Sequence, residues 1–345
     1  MSYTTINKSS EHFNTKLYTG TGSSHAVSGI GFQPDWVWFK GRNQAYHHYL
    51  FDAVRGVNKP IHSALTNAES TQTDTLMSFD SDGFTLGSDT NNGEINSSGN
   101  TFASWNWKAN GAGSSNTDGS ITSTVSANTT SGFSIVSYTG TGSNATVGHS
   151  LGTTPSMIIV KDRDGARDWT VYHKSLGATK WIQLNDTGAS QTGSPMWQDT
   201  EPTSSVFSIG TYAQINTSSS KYIAYCFAEK TGYSKFGTYT GNGNADGSFI
   251  YTGFKPAFVI IKDATNAYEW RIYDNKINSF NSMFEILNPN NSNAQATTSH
   301  GIDFLSNGFK CRGTTTINTS GANQIYMCFA EAPLVGTNNV PANAR

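Results

Sequence analysis

Short apolar runs bounded by Gly, Asn, Asp and Ser recur along the whole chain, a pattern of strands and turns. Three of them, Trp36–Phe39, Met157–Val160 and Phe258–Ile261, are continuously apolar and are closed by Lys40, Lys161 and Lys262. Runs of that kind read as strands buried on both faces. A second set, TFASWNWK, YIAYCFAE and IYMCFAE, and a third, GFTLG, VFSIG and GFKCR, predict two further strands in the same order.

The runs recur because one unit is written three times. Tyr18, Tyr138 and Tyr239, each opening a Tyr-Thr-Gly-x-Gly turn, stand 120 and 101 residues apart. Pro34, Pro155 and Pro256 are separated by 121 and 101, and Asn96, Asn216 and Asn318 by 120 and 102. A period held from end to end of a copy means one structural unit used three times. The predicted layout is an N-terminal arm (1–12), repeat 1 (13–109), a Gly/Ser/Thr/Asn linker (110–131), repeat 2 (132–230), repeat 3 (231–332) and a C-terminal tail (333–345). Repeats 2 and 3, joined almost directly, are expected to pack as a rigid pair with repeat 1 more loosely attached. The fold class expected is all-β, three tandem β-sandwich modules of jelly-roll type. Strand edges in such modules must be covered, and a homo-oligomer, a trimer above all, would do it.

Composition narrows the function. Charged residues are 13% of the chain, against a usual share of about 25%. A net charge of −2 with no Lys/Arg run argues against nucleic acid and anionic membranes. No apolar run approaches the ~20 residues of a membrane span, and MSYTTINKSSEHF has no apolar signal segment. Synthesis in the cytoplasm without standard export is expected. Cys226 and Cys328 share one repeat position and are expected in the core, not in a disulfide framework.

The combination of YTGTG, GFQP or GFKP, an apolar run closed by Lys, INTSSSKYIAYCFAE and FLSNGFK resembles the tandem-repeat, concanavalin-like virion and tail-fibre proteins of marine tailed phages. The resemblance covers Phe13 to about Arg345. It implies lectin-like modules on a virion, with other tail or capsid proteins as partners and a host-surface glycan as a further one. It supplies no catalytic residue.

The candidate chemistry is thin. The Gly-x-Gly turns lack the helix that a phosphate loop needs, so they read as structural turns. His47-His48 is the only close histidine pair, but Trp169 and Trp270 fill the place of His48 in the other copies. Asp52, His173 and Asp274 coincide, and a carboxylate exchanged for imidazole is no shared catalytic position. Asp80-Ser81-Asp82-Gly83 opens like a calcium loop without its glutamate, and Asp246-Gly247 is a similar turn. Glu229 and Glu331 end their strands where repeat 1 has Ala109, which argues against a shared acid/base pair for glycan cleavage. Trp197, in SPMWQDT, has no counterpart and is the tryptophan expected to face outward as a glycan contact. Expected catalytic, cofactor and metal residues are none. The expectation is a non-enzymatic virion surface protein, tail-associated and receptor-binding, with capsid decoration or a head fibre as the alternative and a glycan-cleaving enzyme as a remote one.

Overall fold

In the computed structural model, which describes residues 3–90 and 93–336, the chain is all-β with several antiparallel sheets. Copy 1 carries β1 (Phe13–Thr19), β2 (His25–Ser28), β3 (Trp36–Gly41), β4 (Tyr49–Asp52), β5 (Gly56–Ile61), β6 (Leu76–Asp80), β7 (Gly83–Leu86) and β8 (Thr101–Trp107). Two short strands follow, β9 (Ser114–Asn116) and β10 (Ser123–Asn128). Copy 2 carries β11 (Phe133–Thr139), β12 (Ala145–Gly148), β13 (Met157–Asp162), β14 (Thr170–His173), β15 (Lys180–Gln183), β16 (Gln191–Thr192), β17 (Val206–Ile209) and β18 (Lys221–Phe227). Copy 3 carries β19 (Ser234–Thr240), β20 (Phe249–Tyr251), β21 (Phe254–Asp263), β22 (Arg271–Asp274), β23 (Met283–Ile286), β24 (Ala296–Leu305), β25 (Gly308–Arg312) and β26 (Asn323–Pro333).

The three copies repeat one topology. The main sheets run β1-β8-β3-β4-β5, β11-β18-β13-β14-β15-β16 and β19-β26-β21-β22, and the second sheets β2-β7-β6, β12-β17 and β20-β25-β24-β23. Each pair of sheets encloses its own apolar cluster, for example Val27, Val37, Phe51 and Phe84 in copy 1. The lysine-closed runs are buried on both faces, as expected, but their other face meets something larger. Trp36, Trp38 and Trp107 of copy 1, Met157, Tyr225 and Phe227 of copy 2, and Phe258, Met327 and Phe329 of copy 3 belong to one shared core. The ring of Trp36 stacks on Tyr225 at 4.3 Å, and that of Phe13 on Phe329 at 4.9 Å. The main sheets therefore pack on each other.

Copy 1 is not loosely attached. The expectation rested on the length of 110–131, whereas attachment is set by apolar area removed from water. Nor is 110–131 only a linker. β10 pairs with β11 (Val125 opposite Val136), β9 pairs with β10, and Ile121 forms a parallel bridge with Val147. Ile121 and Val125 enter the core of copy 2, so two apolar side chains among small polar ones suffice to dock the segment. The N-terminal arm is docked too: Thr4 Oγ1 donates to the Thr231 carbonyl and Ile6 joins the shared core. Of the tail expected at 333–345, residues 337–345 lie outside the described residues. Cys226, Cys311 and Cys328 are free and buried.

Candidate functional site

The residues that recur in sequence are spent on two structural tasks. The first is a clamp within each copy. Asn96, Asn216 and Asn318 are fully buried. The Oδ1 of Asn216 accepts the Thr141 N–H at 2.7 Å, and its Nδ2 donates to the Ser143 and Gly210 carbonyls at 2.7 and 2.6 Å. Asn96 does the same with Thr21, Ser23 and Gly87, and Asn318 with Asn242, Asn244 and Gly313. Tyr18, Tyr138 and Tyr239 each donate to the carbonyl of the isoleucine before that asparagine. The turn needs glycine for a reason of space: a Cβ on Gly140 would lie 2.3 Å from the Thr217 carbonyl oxygen, and Gly142 sits at φ +73°. The Gly-x-Gly turns are thus structural.

The second task is a seam between copies, and it runs in a closed circle. Lys40 Nζ donates to the Ser292 carbonyl of copy 3, Lys161 to Thr66 of copy 1, and Lys262 to Thr187 of copy 2, at 3.1, 3.1 and 2.9 Å. Trp169 Nε1 donates to the His62 carbonyl and Trp270 Nε1 to that of Gln183, at 2.9 and 2.8 Å. His48 takes the tryptophan's place. Its Nδ1 accepts from Trp38 Nε1 at 2.7 Å, so Nε2 carries the proton and donates to the Asn288 carbonyl at 2.9 Å. Burial holds this imidazole neutral, well below its ordinary range. Three backbone bonds complete the circle, from Gln295, Glu69 and Ser190 N–H to the carbonyls of Arg42, Arg163 and Ala264.

The exchangeable position 52/173/274 also lies on a seam. Asp52 accepts from Tyr225 of copy 2, His173 Nε2 meets the Tyr326 carbonyl of copy 3, and Asp274 accepts from Thr15 and Trp105 of copy 1. Any group able to cap the neighbour serves there, which explains why carboxylate and imidazole interchange.

Each seam lysine is also held by two carbonyls of its own copy, so three acceptors face three ammonium protons. Burial opposes this, pulling Lys40 to about 7 and Lys161 and Lys262 to about 8, from 10.5. A folded pKa below the unfolded one contributes stability fully present above 10.5 and lost as pH falls through 8 and 7. The urea midpoint should therefore rise between pH 7 and 9, and Lys161→Met should remove about a third of that rise, one proton of three.

The remaining candidates are engaged elsewhere. Asp80 accepts from Ser78 and Thr85, and Asp82 from the Gly29 and Gly31 N–H groups. Glu229 pairs with Lys174 and Lys235, and Glu331 with Lys255. Among the described residues no three His, Cys, Asp or Glu side chains gather as a metal site. The cavity beside Phe13 and Glu331 is about 70 Å³, and the larger hollows, of about 310 to 430 Å³, are open to solvent, one lined by Ser123, Tyr138, Arg163 and Lys221 and another by Asn144, Pro195 and Gln198. Trp197 does not face outward. It is 2% exposed in the core of copy 2, with Tyr172 edge-on at 5.9 Å. The second sheet of copy 2 has only two strands, against three and four in copies 1 and 3, and Trp197 is among the large side chains of the core beside it.

What is left for contact is a surface. The outer side of the second sheet of copy 3 exposes Phe249 (47%) and Tyr251 (54%) on β20, Phe284 (37%) on β23, and Phe280 (84%) just before it. Between them lie Lys310, Arg312, Asp303 and Asp246, paired with one another at 2.6 to 2.8 Å. Phe284 leans over Gly301, where a side chain would meet its ring at 2.6 Å, and at Gly308 a Cβ would lie 2.0 Å from the Ile250 carbonyl oxygen, with the Phe249 ring close by. Copies 1 and 2 have Ala26 and Ser28, and Thr146 and Gly148, where copy 3 has Phe249 and Tyr251. No period marks these residues, so a search for matched positions passes over them; two aromatics flanking one apolar residue on a short edge strand were the available signal.

A family model described as a domain of unknown function, DUF7483, matches residues 8–333, all three copies as one unit. The chain belongs to the DUF7483 family. No curated protein matches it. That one family model runs unbroken through the three copies agrees with their shared core, because none of them buries its main sheet alone.

Proposed function

We propose that this DUF7483 chain is a non-enzymatic structural protein of the virion surface, built from three concanavalin-like jelly-roll modules closed into a ring, which makes contacts through copy 3. The observation that carries the contact role is the set of exposed aromatic side chains of copy 3, Phe249 and Tyr251 at one edge of the second sheet and Phe280 and Phe284 at the other, with ion-paired side chains between them, since large apolar side chains left exposed together mark interaction sites. The recurring polar residues being spent on clamps and seams supports a reading without catalysis. The assignment to a phage particle is supported by the sequence resemblance, and a tail-associated, receptor-binding role follows from it. Decoration of the capsid is the second reading, favoured by the closed ring, a rigid knob in place of an extended shaft.

Immunogold labelling of intact particles tests this: label at the tail supports the first reading, label over the shell the second, and its absence from particles overturns both. In the first case, particles carrying Tyr251→Ser and Phe280→Ser should adsorb to host cells at least about tenfold more slowly, with thermal stability unchanged because both side chains are exposed.

A further inference from the structure

We propose that the open side of copy 3, between the edge strands β19 and β20, receives an extended segment of another polypeptide by strand addition. The proposal rests on the reading of copy 3 as the contact face and names its partner. The precedent lies within the chain. In copy 2 the equivalent strands are β11 and β12, and there residues 114–128 occupy this side: β10 pairs along β11, and Ile121 bridges Val147 of β12. The added segment covers the sandwich with two apolar side chains four residues apart, Ile121 and Val125.

Among the described residues, nothing pairs along the same side of copy 3: β19 pairs only with β26, and β20 only with β25. Tyr239 is half-buried where its counterpart Tyr138 is buried, and Phe249 and Tyr251 stand exposed beside Ile250, the counterpart of Val147. Tyr3 of the N-terminal arm reaches the Gly253 carbonyl and the Tyr251 side chain, at one corner. Copy 1 is open too, but its side carries Lys16, Ala26 and Ser28, the charged and small residues that blunt an edge. Copy 3 has Gly237 in place of Lys16, and Phe249 and Tyr251 in place of Ala26 and Ser28. An edge strand with unpaired main-chain groups and flanking apolar side chains is what an extended peptide recognises. Residues 110–131 are already engaged on copy 2, and the proposed occupant is a segment of a different protein that imitates them, with β-branched residues at positions i and i+4.

The probe is a fluorescent peptide of residues 112–130 added to the full chain, with anisotropy and amide hydrogen exchange as readouts. Saturable one-to-one binding is expected, with slowed exchange at 234–240 and 249–251. A peptide carrying Ile121→Asp and Val125→Asp should bind at least about tenfold more weakly. Absence of saturable binding at millimolar peptide, equal binding of the substituted peptide, or slowed exchange at 133–139 and 145–148 instead would each overturn the proposal. These outcomes are read in solution, so failure to find the protein on particles would leave them standing and sink only the virion assignment.

Discussion

Asn216→Ala is expected to lower stability by about 2–3 kcal/mol, chiefly from the buried Gly210 carbonyl left without its donor at roughly 1–3 kcal/mol. The Thr141 N–H and the Ser143 carbonyl stand on an exposed turn, where water can take over part of their bonds. Asn216→Asp keeps the acceptor for Thr141 N–H but loses both donors and introduces a buried charge, so it should be at least as damaging. Thr141→Ala, whose N–H still bonds Oδ1, should change little. Urea unfolding of the three variants decides the matter. Alanine and aspartate variants within about 1 kcal/mol of the parent would show that the clamp contributes only to local order.

The residues of that clamp were legible in the sequence because they are repeated; their meeting across 75 to 77 positions was not. Tyr18, Gly20, Gly22 and Asn96 recur with a fixed spacing, and repetition at fixed spacing is what a shared backbone geometry leaves behind. The all-β class followed from apolar runs and turn residues in the same way. The sharing of one core by three copies was not legible. Trp36, Met157 and Phe258 look like packing residues whether they pack within a copy or between copies, since burial leaves the same apolar signature in both cases. Residues 110–131 were misread because small polar residues suit an exposed strand as well as a linker, and only the pairing partner tells them apart. Trp197 was misread for a related reason: lack of a counterpart in the other copies marks a local solution to packing as readily as a binding site. The exposed aromatics of copy 3 carry no repeat signal, since a contact surface on a threefold repeat is found where one copy departs from the others.

Asp52→Ala is expected to unfold the chain as a whole, not copy 1 alone. Asp52 and Arg55 are fully buried, their Nε–Oδ2 contact being 2.5 Å, and Arg55 reaches Glu69 at 3.1 Å. Glu69 in turn holds Arg163 of copy 2 at 2.9 Å, and Asp52 accepts the Tyr225 hydroxyl at 2.8 Å. Burial alone would lower the pKa of Arg55, yet the carboxylates of Asp52 and Glu69 hold it above its ordinary value, so the guanidinium stays charged. Removing Asp52 leaves that charge enclosed with one carboxylate, and breaking a buried pair from one side costs about 3–5 kcal/mol. Because the network spans the seam of copies 1 and 2, and the seams close in a circle, the loss should be felt in one cooperative transition. Asp52→Ala with Arg55→Met removes the stranded charge and should recover more than half of the loss, the sign that the penalty came from the unpaired cation and not from a missing attraction. Calorimetry of both variants separates the cases. Two resolved transitions in Asp52→Ala, with copies 2 and 3 melting where they do in the parent, would mean that copy 1 folds as an independent body and that the ring does not bind the three together.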